Sequence, residues 1–148
     1  MDAHQHDLIQ HVCKHPGMYV SSGSLDAVFS YLTGLDTATG CLTGFREWLA
    51  PRFYDGDNLA WPGLVLLSLE LESVADDDAI AHLGKLLAEF YDFTHKDRGP
   101  RTDLTRVYLR YHAWLLNSPW YHPDSSRYIP PYDGVPLVKR DQESQNDG

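Results

Sequence analysis

Apolar positions along this chain recur mostly with the period of a helix. Leu25, Val28, Phe29, Leu32 and Leu35 stand at i, i+3, i+4, i+7 and i+10, a single stripe at 3.6 residues per turn. Ile80, Leu83, Leu87 and Phe90 repeat the pattern with Leu86 beside them, and Leu104, Val107, Tyr108, Tyr111 and Leu115 repeat it again. Shorter helices are predicted over residues 4–14, on Leu8, Ile9 and Val12, and after Thr43, on Phe45, Trp48 and Leu49. The punctuation agrees with these segments. His15-Pro16-Gly17 stops the first, because proline disfavours helix in the residue before it. Ser24 and Thr43 are placed to cap the second and third, and Pro51 is expected to end or kink the third. Asp76, Asp77 and Asp78 are placed to cap free amides of a helix that reaches about Phe93 and to oppose the positive end of its dipole. Thr102 or Asp103 opens the last helix, and Asn117-Ser118-Pro119 closes it.

Residues 61–72 carry two signals. Leu67-Ser68-Leu69-Glu70-Leu71-Glu72 alternates like a strand. Pro62 suits the first turn of a helix, and Asn58 can cap a helix opening there. No second strand candidate exists to pair with, and a lone strand leaves its ladder unsatisfied, so helix is the expectation. From Trp120 onward proline and aromatics alternate in Trp120-Tyr121-His122-Pro123 and Tyr128-Ile129-Pro130-Pro131-Tyr132, which predicts an extended path packed on the helices. The expected fold is a compact all-α domain of five or six helices over residues 1–138, wrapped by this extended Pro/aromatic-rich C-terminal segment. Residues 139–148 have no apolar residue and are expected to be a disordered tail.

Composition narrows the class. A chain of 148 residues with 43% hydrophobic positions suits one globular domain. Cys13 and Cys41 form no C-x-x-C and are expected to be reduced thiols. No apolar run approaches the roughly 20 residues of a membrane span, and Met1–His6 lacks the basic-then-apolar order of a secretion signal. The expectation is a cytoplasmic protein with no membrane partner.

The net charge of −9 is unevenly spread, with ten acids and two bases in residues 55–97. Phosphate repels such a stretch, which argues against nucleic acid. A basic protein partner is favoured by charge matching. The candidate partner-binding residues are Asp55, Asp57, Glu70, Glu72, Asp76, Asp77 and Asp78.

Motifs for catalysis are sparse, and no catalytic residue, metal or cofactor is assigned. Asp55-x-Asp57-Asn58 starts like a calcium loop, but Ala60 and Leu66 occupy the places that require glycine and glutamate. His11 and His15 stand four apart, and on a helix both could touch one metal, although a zinc cage needs further ligands. Arg46-Glu47-Trp48 with Asn58-x-x-Trp61 reads either as a polar clasp between the third and fourth helices or as a pocket lined by Arg46, Trp48, Asn58 and Trp61. A hydrolase or transferase reading would use a histidine–carboxylate pair, His95 with Asp92, or else His112. A third reading is a structural subunit of an oligomer, and the oligomeric state is left open.

Pro16-Gly17-Met18-Tyr19, Gly44-Phe45-Arg46-Glu47-Trp48-Leu49, Asn58-Leu59-Ala60-Trp61-Pro62 and the closing Trp114, Trp120 and Tyr121 resemble a loose group of small bacterial helical proteins. These are uncharacterised or immunity-like, partners that neutralise a toxin from a competing or sister cell. The resemblance spans residues 8–131 and rests on packing residues, with no catalytic residue to carry over. Taken with the acidic stretch, it implies an immunity-like inhibitor that covers a basic toxin or effector through an acidic face.

Overall fold

Ala79–His95 is the helix around which the others are arranged, and its sequence shows why. Its buried positions Ala79, His82, Leu83, Leu86, Leu87, Phe90 and Thr94 follow i, i+3, i+4, i+7, i+8, i+11 and i+15, one broad face, with Gly84 buried beside it. A face that broad and long can take several neighbours. A computed structural model describes residues 1–54, 56, 58–95 and 102–122. Its helices are α1 (Ala3–Lys14), α2 (Leu25–Thr39), α3 (Phe45–Phe53), α4 (Trp61–Leu71), α5 (Ala79–His95) and α6 (Thr102–Asn117), with 3-10 turns at Pro16–Met18 and Asp76–Asp78. The fold is all-α, with no strand among the described residues. α5 touches α1, α2, α3, α4 and α6, while α3 packs on α4 and α6.

The α1–α5 contact depends on Gly84. A methyl there would stand 3.1 Å from Cys13 Cβ, and Gln10 Nε2 donates to the Gly84 carbonyl at 2.9 Å. Glycine inside a helix costs about 0.5–1 kcal/mol relative to alanine, and close backbone approach is what it permits in return. Burial at this contact pushes the Cys13 thiol up to about 11, which leaves it protonated and unreactive at neutral pH. On the other side of α5 the core is aromatic. Phe45 lies 5.3 Å from Phe90 and 5.9 Å from Trp61, and Trp61 meets Phe29 edge-on at 5.3 Å. Such pairs contribute roughly 0.5–1.5 kcal/mol each beyond the area they bury.

Helix ends divide into those that follow the expected chemistry and those that do not. Ser24 caps α2 by accepting from the Ala27 amide, as expected. Asp2 and Gln5 form a reciprocal capping box at α1. Thr43 does not cap α3. Its hydroxyl donates to the Gly40 carbonyl, and Gly44 starts the helix at φ 84°. Pro51 does not end α3, which runs on to Phe53. Proline's fixed φ is a helical one, so the chain loses one ladder bond rather than the helix. Asn58 accepts from the Tyr54 hydroxyl, and Ala60 stands at the α4 N-cap. Asp76–Asp78 form a 3-10 turn before α5 and make no side-chain cap. α5 continues two residues past Phe93, to His95. Leu104, expected in the α6 stripe, is 40% exposed. Residues 61–71 are helical, as expected. Trp120 folds back against Trp114 at 5.6 Å. The expected wrapping path beyond His122 and the tail 139–148 lie outside the described residues.

Candidate functional site

α4 has a clear inner face and an unusual outer one. Trp61, Leu64, Val65 and Ser68 follow i, i+3, i+4 and i+7 and are buried. Leu66 and Leu71 are 45% and 62% exposed, Leu67 is half-buried and Glu70 is exposed. Leu66, Leu67 and Glu70 stand at i, i+1 and i+4 on the side away from the core, with Leu71 at the helix end. A helix that is apolar round most of its circumference belongs in an interior. The outer side of this one faces solvent.

The turn after α4 carries the acids. The Ser73 amide donates to the Glu70 carbonyl at 3.2 Å and the Val74 amide to the Leu69 carbonyl at 2.9 Å. This is the paired pattern of a Schellman end, with Ser73 in the left-handed region at φ 53°. The chain then runs through Asp76–Asp78 into α5. Glu70, Glu72, Asp76, Asp77 and Asp78 are all exposed. Among the described residues Glu70 and the three aspartates have no ion-pair partner. Asp55 and Asp57 lie outside the described residues.

Beneath this corner is a buried polar relay that no local pattern announces. Ser68 Oγ donates to the Val65 carbonyl at 2.7 Å and lies 2.9 Å from His82 Nε2. His82 Nδ1 lies 3.9 Å from Glu72 Oε2. The order serine–histidine–carboxylate is that of a nucleophilic triad, but the chemistry is not. Ser68 is 0% exposed and His82 7% exposed, so substrate has no access. With the serine proton given to Val65, Nε2 must carry its own proton and donate to Ser68 Oγ. It therefore has no lone pair with which to take the serine proton. Burial lowers the His82 pKa and keeps the ring neutral, with Glu72 opposing that shift.

The remaining expected residues occupy three places. Arg46 Nε donates to the Leu59 carbonyl at 2.9 Å and Nη1 to the Tyr111 hydroxyl at 3.2 Å, joining α3 to the approach to α4 and to α6. Trp48 and Trp61 are 3% and 9% exposed inside the core, while Asn58 is on the surface. Asp92 and His95 line an open hollow of about 540 Å³ with Glu89 and Phe93. There His95 Nδ1 is 2.8 Å from the Tyr91 carbonyl, so its proton goes to the backbone rather than to Asp92. Glu89 is held by Arg52 at 2.9 Å. His112 is half-buried on α6.

No family model, curated protein or solved structure matches the chain. Among the described residues no group of three or more His, Cys, Asp or Glu is arranged to hold a metal, and no helix is long and apolar enough to cross a membrane. The acids were readable in the sequence. The exposed leucines beside them were not, because an apolar residue at helical spacing is assigned to a core by default. The available signal was that α4 has more leucine than one buried face can use.

Proposed function

We propose that the protein is a binding module, an immunity-like inhibitor, whose outer α4 face and following acidic turn cover a basic surface of a protein partner. The observation that supports this is that exposed Leu66, Glu70 and Leu71 of α4 are followed in the chain by exposed Asp76–Asp78, which have no ion-pair partner among the described residues. Apolar anchors with a charged rim are the anatomy of a protein interface. The sign of the rim selects a cationic partner and speeds its encounter. A second copy of this chain is a poorer occupant, because a two-fold contact would set the same carboxylates against one another.

The test is affinity capture on the immobilised protein from a lysate of its own cells, at low and high salt. It is repeated with Leu66→Arg, with Asp76→Asn/Asp77→Asn/Asp78→Asn, and with the exposed control Asp26→Asn on α2. The expected result is one stoichiometric basic protein that high salt weakens. Purified, it should bind both site variants about tenfold or more weakly, equivalent to ~1.4 kcal/mol, and bind the control as well as the parent. Equal binding to all four proteins would remove this face from consideration, and the hollow at Asp92 and His95 would be screened next.

A further inference from the structure

The last turn of α1 holds a cluster that the proposed docking face does not use. His11 and His15 are one helical turn apart, both exposed, with ring centroids 4.8 Å apart and planes inclined by 52°. The 3-10 turn Pro16–Met18 brings the chain back over the helix and delivers Tyr19, whose hydroxyl lies 2.8 Å from His11 Nδ1. Tyr19 is itself held. Its amide donates to the Pro16 carbonyl at 2.9 Å, its ring lies 5.7 Å from that of Tyr31, and it is half-buried against the core. The His-Pro-Gly-Met-Tyr segment therefore does more than stop α1. It fixes one nitrogen of His11 and leaves the other directed away from that bond.

We propose that His11 and His15 form a two-imidazole surface site for a divalent first-row transition metal, with Tyr19 as the positioning residue for His11. Four observations converge on this. Two imidazoles one turn apart reach a common point, since metal–nitrogen bonds of about 2.0–2.1 Å place two ligand nitrogens about 3 Å apart. A hydrogen bond to the non-ligating nitrogen is the arrangement that orients a ligand histidine. The His15 ring has no hydrogen-bond partner among the described residues, so both its nitrogens are open to a ligand. The negative end of the α1 dipole and Asp7, one turn before His11 and exposed, favour a cation there, against Lys14. Imidazole suits zinc, copper and nickel. Two ligands do not close a cage, so water or a partner's side chain completes the coordination. His6 of α1 is less suited, because its ring is stacked on Tyr91 at 4.0 Å with Nε2 buried.

The site is independent of the docking face and is tested on the purified full chain. Calorimetric titration at pH 7.5 with Zn²⁺ and with Cu²⁺, in a non-coordinating buffer, should show one equivalent bound, copper more tightly than zinc. His11→Ala and His15→Ala should each abolish that equivalent, His4→Ala should leave it intact, and Tyr19→Phe should weaken it about tenfold. Circular dichroism checks that each variant keeps its helices, as expected for the exposed histidines and for a tyrosine that loses only its hydroxyl. Absence of binding by the parent protein, or binding unchanged in both histidine variants, would overturn the site. Parent-like affinity in Tyr19→Phe would overturn the role given to the tyrosine.

Discussion

Ser68→Ala removes one oxygen from the core, and the consequence can be worked out from what that oxygen touches. Ser68 Oγ is the partner of His82 Nε2 at 2.9 Å, in a place where Ser68 is 0% and His82 7% exposed. The substitution strands an N–H that water cannot reach, which costs about 1–3 kcal/mol. His82→Leu does the reverse with less harm, because Ser68 keeps its bond to the Val65 carbonyl at 2.7 Å. Its cost is mainly repacking, about 1 kcal/mol. The double variant strands nothing, and replacing both partners with apolar groups is nearly neutral. Its destabilisation should fall short of the sum of the singles by about 1–2 kcal/mol. Urea unfolding of the four proteins by linear extrapolation measures this, with unchanged m-values as the check that only stability moved. Additivity within roughly 0.5 kcal/mol would refute the pairing, since independent sites add to about that precision.

The same histidine sets a pH dependence. Its folded pKa is lowered from 6.5 by burial and by nearby Lys85 and Arg52, against Glu72 and Glu89, so the unfolded chain takes up the proton first. Its contribution is complete above about pH 6.5 and is lost as pH falls from there through the folded value; urea titrations between pH 5 and 7 should show a slope that His82→Leu reduces. Two substitutions in the left-handed region should move stability in opposite directions. Gly44→Ala, at φ 84° and with a methyl 3.0 Å from Leu104 Cδ2, should cost about 1–2 kcal/mol, mostly backbone strain because the exposed leucine can move aside. Ser73→Gly, at φ 53° in the α4 end, should add about 0.5–1 kcal/mol by relieving the same strain. Both are read as shifts of the urea midpoint.

The fold was largely readable because helix existence depends on spacing, and spacing survives any tertiary arrangement. Val28, Phe29 and Leu32 of α2, and Leu83, Leu87 and Phe90 of α5, are buried as their period requires. The ambiguous segment 61–72 resolved correctly by exclusion, since an alternating run with no partner strand has nowhere to place its backbone hydrogen bonds. Caps failed where two local solutions compete. Thr43 could accept from the next helix or donate to Gly40, and the left-handed start at Gly44 decides for the second. Asn58 was an equally good cap on paper, but Tyr54 reaches it first. The Ser68–His82–Glu72 relay was unreadable for a different reason. Its members sit on two helices and the turn between them, and only packing brings them together.

The buried polar side chains among the described residues are Ser68, His82 and Thr94, and each has a local duty. Thr94 donates to the Phe90 carbonyl at 2.9 Å, and the other two bond to each other. These three side chains are thus engaged in holding the core. The core makes α4 a stiff platform. Trp61 anchors its first turn between Phe29 and Phe45, Arg46 ties down the Leu59 carbonyl just before it, and the Schellman turn at Ser73 closes its end. A face held at both ends loses little conformational freedom when a partner arrives. Under the proposed function, Leu66 and Leu71 would therefore meet a partner on a helix that does not have to form on contact.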